Sequence, residues 1–171
     1  MALTFPATRD GSDAVVAREG LEATARSERR HALVERMLTD LVGVPWEKVH
    51  RQADRWADEV SDEVEAHLTV LLGDPGTCPH GNPIPGSANV PDQSTAVPLA
   101  DAPLGPVRVV RISEVVEDDD ATMARLAAAG FTPGAECEVA TQHDGGVAVA
   151  GAIADMTIDN HTAHEVWVDV I

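Results

Sequence analysis

The spacing of apolar residues divides the chain into a helical first half and a strand-rich second half. Between residues 20 and 42, Leu, Met and Ala recur at steps of three and four, which is typical of one face of an amphipathic helix. Gly43 predicts the end of this helix, and a second helix is predicted over residues 46–59. A third helix, capped by Ser61, is predicted to run to Leu72. The first half is therefore predicted to be all-helical.

In the second half the apolar period changes from 3.6 residues to two. Apolar and polar residues alternate over residues 107–114, as expected for a half-buried strand. A short helix is predicted over residues 121–129, ended by Gly130. Further strands are predicted at 137–140, 147–150, 156–158 and 166–171. Five short strands within residues 107–171 predict a small β-barrel.

The stretch between the two halves, residues 76–106, is rich in Pro and Gly and is predicted to be an extended linker. Residues 1–19 are predicted to be a loose lead-in that contains a short strand at 14–18. The predicted domains are thus the lead-in, a helical domain at 20–75, the linker and a barrel at 107–171. This arrangement belongs to the α+β class with more than one domain.

Charge and composition narrow the classes of function. Residues 56–171 hold three basic and twenty acidic residues and so account for the whole net charge of -17. Such a surface repels phosphates, which argues against a free-standing nucleic-acid binder. The two cysteines, Cys78 and Cys137, are too few for a disulfide framework, which fits a reducing cytoplasm. No apolar run approaches the roughly 18 residues of a membrane span, and no signal peptide is predicted, so we expect a soluble cytoplasmic protein.

His31 and Glu35 are the first candidate metal ligands in the sequence. Residues four apart on a helix share one face at about 5 to 6 Å, which suits two metal ligands. His50 can reach the pair if the first two helices are antiparallel. Most surface helices also carry such pairs as solvated neighbours, so the spacing alone leaves both interpretations open. Imidazoles suit Zn, Fe, Ni and Cu, and added carboxylates shift the preference towards Mn(II) and Fe(II).

The remaining polar residues give weaker signals. Five further histidines lack a good ligand at helical spacing, and we expect surface or internally satisfied side chains; they are His67, His80, His143, His161 and His164. The acidic run at 117–120 is expected to cap the helix that follows it, with Glu117 as a possible exception. The chain has no phosphate-binding glycine loop and no Gly-x-Ser-x-Gly motif, so we do not expect an enzyme.

Several of these segments together resemble the metal-binding and dimerisation domain of the diphtheria-toxin-repressor family of iron- and manganese-dependent regulators. The segments that carry the resemblance are 30–36, 41–43, 46–50, 53–56, 61–65 and 78–86. The C-terminal unit is similar to the SH3-like domain of that family, which is related to the fold of small ferrous-transport accessory proteins. Together the two resemblances cover about residues 14–171.

The resemblance implies a metal site between the two domains. Its ancillary site corresponds here to His31, Glu35, His50, Glu114 and Glu117, the last two reaching over from the SH3-like domain. The implied cofactor is a divalent transition metal, Fe(II) or Mn(II), with Co(II), Ni(II) or Zn(II) able to replace it in vitro.

The primary metal site of the family falls here on Asp54, Ala57 and Asp58. Ala57 cannot bind a metal. The two carboxylates could hold an ion weakly as a degraded second site, or they could simply lie on an exposed helical face.

The resemblance implies a homodimeric transcriptional regulator. The family begins with a winged helix-turn-helix, of which only residues 13–20 resemble a part, the end of the wing. We therefore expect the chain alone to sense metal without reading DNA, either as part of a longer protein or as a natural paralogue. The alternative hypothesis is an interaction module that dimerises with a full-length repressor homologue, with metal incidental.

Overall fold

The first half of the chain is built on one long helix. The computed structural model describes residues 12–171, with side chains from residue 18 onward. Helix α1 spans Ser12–Met37 and continues as a wider π-helical turn over Leu38–Val42. Gly43 ends it with a left-handed φ of 81°, and its N–H donates to the carbonyl of Leu38. The predicted end of the helix is confirmed.

The start of α1 corrects the sequence prediction. The strand predicted at 14–18 is wrong, and residues 13–20, expected to resemble the end of a wing, are helical. Two adjacent valines cost only a few tenths of a kcal/mol each inside a helix, and an internal glycine costs about 1 kcal/mol, so neither ends it. The rest of the predicted lead-in, residues 1–11, lies outside the described residues.

The second predicted helix is broken into short turns. A 3₁₀ turn at Trp46–Lys48 leads into α2 at His50–Asp54, and a second 3₁₀ turn follows at Ala57–Glu59. The broken path still buries Val49, Ala53 and Val60 together with Val34 and Leu38 of the α1 segment. Tertiary packing here overrides the helical pattern of the sequence.

The third helix is confirmed. Helix α3 spans Asp62–Leu71, and the hydroxyl oxygen of Ser61 accepts from the backbone N–H of Val64 at 3.3 Å. No helix in residues 12–171 is long and apolar enough to cross a membrane.

The second half is a six-stranded antiparallel sheet. The strands are β1 Val97–Pro98, β2 Gly105–Ile112, β3 Glu136–His143, β4 Gly146–Ala150, β5 Asp155–Ile158 and β6 Val166–Val170. Their order is β1-β6-β2-β3-β4-β5. The five predicted strands are confirmed, and β1 is an addition from the predicted linker.

Three short helices complete this half. Helices α4 at Glu114–Glu117 and α5 at Asp120–Ala129 lie between β2 and β3, and Gly130 ends α5 as predicted. Helix α6 spans Asn160–His164, directly before the last strand. The strands and helices enclose a second apolar core, separate from the one around α1, with Phe131 fully buried.

The predicted linker does not stay extended. Cys78 and Ile84 are buried against Ala32 of α1, and the N–H of Ile112 on β2 donates to the carbonyl of His80 at 2.9 Å. Proline limits the conformations of this segment, but its backbone groups find partners in both domains, and such pairing stabilises an ordered path. Residues 76–86 therefore join the helices to the barrel.

Gly81 allows the close approach of this segment to β2. Its φ is 89°, and a Cβ atom there would lie 2.1 Å from the carbonyl oxygen of Val110. A side chain at this position would separate the segment from the barrel.

Candidate metal centre

Three side chains of the helical domain converge on one point. His31 and Glu35 lie one turn apart on α1, and His50 begins α2. The Nε2 atom of His31 and the Nδ1 atom of His50 lie 3.2 and 3.1 Å from the same oxygen, Oε1 of Glu35. The two nitrogens are 3.1 Å from each other. The convergence expected from helical spacing is present.

The barrel contributes Glu117 from α4. Its Oε2 atom lies 2.9 Å from Nδ1 of His50, and its other oxygen accepts from the side-chain amide of Asn82 at 2.7 Å. Glu117 is 2% exposed although it begins an acidic run. The side chain is therefore held inside the junction between the domains.

Glu114, one turn before Glu117, is placed differently. It is exposed and lines a solvent-facing opening together with His31, His50 and Asp54. It belongs to none of the groups of three or more clustered candidate ligands found among residues 12–171. Its carboxylate faces the entrance to the site rather than its centre.

His80 and Cys78 join the site from the segment that was predicted to be a linker. His80 is fully buried, with Nε2 2.8 Å from the carbonyl oxygen of Trp46 and Nδ1 2.9 Å from Oε2 of Glu117. Within the described part of the chain this Nδ1 atom makes an ion-pair contact with Glu117 and no well-aligned hydrogen bond. Cys78, His80 and Glu35 form one of the clusters with metal-ligand spacing.

His80 is therefore not a surface histidine, and its two ring nitrogens contact Trp46 and Glu117 inside the junction. The signal in the sequence was the thiol and imidazole two residues apart in Cys78-Pro79-His80, because both groups are metal ligands in proteins. This signal was not used because the proline-rich composition predicted an extended linker, and a linker is not expected to enter a core.

The charges of the site are strongly coupled. Burial raises the pKa of Glu35, but its contacts with His31, His50 and His80 outweigh burial and hold the pKa well below the usual range. Burial lowers the pKa of His50, but Glu117 and Glu35 outweigh it and raise the pKa to about 10. The same carboxylates contribute to raising the pKa of His80. Without a metal, the site balances carboxylates with protonated imidazoles.

Cys78 adds a donor of a different kind. Burial raises the pKa of its thiol to about 11, so the thiol is protonated at neutral pH in the absence of a metal. A coordinated metal ion deprotonates a thiol, and the resulting thiolate is a soft ligand. Cys78 can therefore extend the nitrogen and oxygen donor set.

The two candidates for a degraded second site are separated. Oδ1 of Asp54 lies 3.3 Å from Nδ1 of His31, at the edge of the cluster just described. Asp58 lines a different groove with Ala57 and Arg30, and it belongs to none of the clusters found in residues 12–171. A site held by both carboxylates therefore has no support from their placement.

Two sequence families match the chain, one on each half. The family described as the iron dependent repressor, metal binding and dimerisation domain matches residues 17–86. The FeoA domain family matches residues 97–170. Both agree with the resemblances drawn from the sequence.

Individual relatives match across both halves. The chain is 36% identical over 181 residues to "Iron-dependent repressor IdeR" of Mycobacterium tuberculosis, covering 95% of this chain and 79% of the relative. It is 32% identical over 176 residues to "Diphtheria toxin repressor" of Corynebacterium diphtheriae, covering 94% and 77%. These relatives are named as repressors, not enzymes.

Solved structures show the same fold. A structure titled "Manganese-dependent transcriptional repressor" matches with a TM-score of 0.77 at 28% identity, covering 94% of this chain and 93% of that one. A second, titled as the complex with manganese, matches with a TM-score of 0.75 at 28% identity, covering 89% and 73%. The helical region followed by the antiparallel sheet is thus an architecture shared with metal-dependent repressors.

Proposed function

Since this chain belongs to the diphtheria-toxin-repressor family of metal-dependent transcriptional repressors, we propose that it senses a divalent metal at the junction of its helical domain and its SH3-like barrel. The observation that carries the proposal is the convergence of imidazole nitrogens on a buried carboxylate from the other domain: Oε2 of Glu117 lies 2.9 Å from Nδ1 of His50 and 2.9 Å from Nδ1 of His80. Carboxylates and imidazoles buried this close together need compensating positive charge, which protons supply in the metal-free protein and a bound ion would supply in their place.

The proposed ligands are imidazole nitrogens and carboxylate oxygens. The central set is His31, Glu35, His50, His80 and Glu117, with Glu114 and Cys78 as further candidates at the entrance and on the buried side. Nitrogen and oxygen donors suit Fe(II) and Mn(II), and Co(II), Ni(II) and Zn(II) can use the same donors in vitro. A bound ion supplies positive charge in place of the protons on the imidazoles.

The ligands come from both domains, which gives the ion a structural effect. His31, Glu35 and His50 belong to the helices, whereas Glu117 belongs to the barrel and His80 is hydrogen-bonded to β2 through its carbonyl. An ion that binds this complete set better than either half favours the arrangement in which the domains are held together. Metal concentration is thereby linked to domain arrangement.

Equilibrium dialysis against Co(II) or Mn(II) tests the ligand set. We expect wild-type protein to retain one ion per chain. Glu35→Gln should bind the ion on the order of 100-fold more weakly or worse, because the neutral amide no longer compensates the positive charge of the ion. The matched control is Glu22→Gln, which removes an exposed carboxylate from the same helix. Equal binding by Glu35→Gln and Glu22→Gln would contradict the assignment of Glu35.

We also propose that the protein acts as a homodimer. An apolar groove on the helical domain is lined by Val34, Met37, Trp56, Val60, Val64 and Leu68, with Trp56 50% exposed. Further apolar side chains are exposed nearby in sequence at Leu41, Val42, Val70 and Leu71. The matching family is described as a dimerisation domain, so a second copy is the occupant we propose for this face.

Substitution of Trp56 tests the dimer. Trp56→Asp should raise the dissociation constant of the dimer by at least about 30-fold, because truncating a central aromatic contact typically costs 2 kcal/mol or more. The control is Ile153→Asp, which charges an even more exposed apolar residue on the barrel. Sedimentation equilibrium measures both variants, and a wild-type monomer at micromolar concentrations would refute the proposal.

We propose no enzymatic activity for this chain, in keeping with relatives that are named as repressors. A transcriptional regulator acts where the bacterial chromosome lies, so we place its action in the cytoplasm. Mixed dimers with a longer repressor homologue would use the same apolar face.

A further inference from the structure

We propose that Asn82 is a positioning residue for the metal, which holds one oxygen of Glu117 so that Glu117 binds the ion through its other oxygen alone. The side-chain amide of Asn82 donates to Oε1 of Glu117 at 2.7 Å. Oε2 is the oxygen that lies 2.9 Å from the Nδ1 atoms of His50 and His80. This inference rests on the proposed metal site and gives a role to a residue outside the proposed ligand set.

The partners of the Asn82 amide fix its orientation. Its Nδ2 atom lies 2.7 Å from Oε1 of Glu117 and 2.7 Å from the backbone carbonyl oxygen of Ile112. An ionised carboxylate and a carbonyl only accept hydrogen bonds, so the atom between them must be the nitrogen, with one proton for each. Both protons of the amide are therefore used, one on the barrel backbone and one on the candidate ligand.

The turn that carries Asn82 also carries His80. The N–H of Cys78 donates to the carbonyl of Asn82 at 2.9 Å, and the N–H of Gly81 donates to the carbonyl of Cys78 at 3.0 Å. This turn, residues 78–82, therefore meets Glu117 at both oxygens, with the amide at Oε1 and the imidazole at Oε2. The backbone bonds of the turn hold the two contacts in a fixed relation to each other.

A hydrogen bond to Oε1 favours metal binding at Oε2. A free glutamate side chain loses rotamer freedom when it binds an ion, whereas one already held by a partner loses less. Glu117 is 2% exposed, so water competes little for its bond with Asn82. Hydrogen bonds to ligating carboxylates are a general means of orienting them. An ion placed among the imidazole nitrogens would then meet Oε2, while Oε1 stays with Asn82.

Cobalt binding tests the role of Asn82. Competition with a chelating fluorophore measures the affinity for Co(II), and the visible absorption of the bound ion reports the number of ligand atoms. We expect Asn82→Ala to bind Co(II) about 10- to 100-fold more weakly than wild type, the range for lost partners of metal ligands. Its visible absorption should be less intense, because Oε1 becomes free to join Oε2 at the ion and a higher coordination number weakens these bands. Wild-type affinity and absorption in Asn82→Ala would overturn the inference.

Gln142→Ala is the matched control. The side-chain amide of Gln142 donates to the carbonyls of Ala100 and Ala102 at 3.3 and 2.7 Å, so this variant also removes two amide hydrogen bonds from the barrel. Its Co(II) affinity should stay within about 2-fold of wild type, with an unchanged spectrum, as for a site without shared partners. Equal weakening by Asn82→Ala and Gln142→Ala would overturn the inference, because loss of any such bond would then suffice.

A Glu117→Ala background separates positioning from a general effect on the segment. If Asn82 acts through Glu117, adding Asn82→Ala to Glu117→Ala should change the Co(II) affinity by less than about 2-fold. The full weakening in both backgrounds would overturn the inference, because Asn82 would then act on the ion by another route.

NMR of the wild-type protein adds a measurement that needs no variant to fold. Because both amide protons of Asn82 are hydrogen-bonded, they should exchange with solvent at least about 10-fold more slowly than those of the exposed Gln52. The nitrogen resonance of this amide should shift on addition of Zn(II), since the ion draws charge from Glu117. Exchange as fast as that of Gln52, or a resonance that Zn(II) does not move, would overturn the inference.

The two levels of the proposal fail differently. If wild-type protein does not bind Co(II), the proposed metal site is wrong and the role of Asn82 falls with it. If wild type binds one ion and Asn82→Ala binds it with the wild-type affinity and spectrum, the metal site stands and only the role of Asn82 is refuted.

Discussion

Saturation with Mn(II), Fe(II) or Co(II) is expected to raise the melting temperature of this protein by about 5 to 10 °C. A ligand that binds only the folded state adds about 2.7 kcal/mol to the free energy of unfolding at a hundred times its dissociation constant. For a protein of this size each kcal/mol raises the melting temperature by roughly 2 to 4 °C. Differential scanning calorimetry at increasing metal concentration measures the shift.

The double variant His31→Ala/His50→Ala should abolish this metal-induced rise. The two nitrogens it removes are the ones that face Glu35 at 3.2 and 3.1 Å, and the remaining groups offer the ion fewer donors. His67→Ala/His143→Ala is the control, because it removes two exposed histidines. A wild-type shift in His31→Ala/His50→Ala would show that the ion binds elsewhere.

The stability of the metal-free protein and its affinity for metal are expected to respond to pH in opposite directions. The pKa of His50 is raised in the folded state to about 10, so its stabilising effect is complete below about pH 6.5 and is lost as the pH rises towards 10. The pKa of Glu35 is lowered, so its contribution is present above its ordinary pKa and is lost as the pH falls below it. From these groups, the metal-free protein is most stable in mildly acidic solution.

Metal binding has the reverse dependence because the ion replaces protons. The imidazoles must lose their protons before their nitrogens can coordinate, so the affinity should rise about 10-fold per pH unit for each proton released. Between pH 6 and 8 we therefore expect the affinity for Co(II) to increase by at least about 100-fold.

Titration calorimetry in buffers of different ionisation enthalpy counts the released protons. His50→Gln should release fewer protons than wild type, whereas His143→Gln, altered at an exposed position, should match wild type. A pH-independent affinity would show that the imidazoles are not protonated in the metal-free state.

The part of the site that lies on one helix was predictable from the sequence. His31 and Glu35 are four residues apart, and an α-helix fixes the relative position of such a pair whatever surrounds it. The strands of the barrel were predictable for the same reason, because alternation with a period of two survives in any antiparallel sheet. In both cases local geometry determines the outcome.

The contribution of His80 was not predictable from local pattern. Its place depends on contacts made far along the chain, such as the pairing of its carbonyl with β2, and no periodicity marks such contacts. The proline-rich composition of residues 76–106 suggested an extended linker, because composition describes the freedom of an isolated segment and not the partners it finds. The 3.3 Å contact between Asp54 and His31 likewise depends on how α2 packs against α1.

The amide of Asn82 bears on how this protein could be divided or recombined. It donates to the backbone carbonyl of Ile112 and to Glu117, each at 2.7 Å, while the neighbouring residue Ile84 is buried against the helices. This segment therefore contacts both domains. A chimaera in which the barrel is exchanged at residue 97 would separate Glu117 from Asn82, whose amide donates to it. A boundary at residue 76 keeps Asn82 on the same chain segment as Glu117, although the two sequence families are divided between residues 86 and 97.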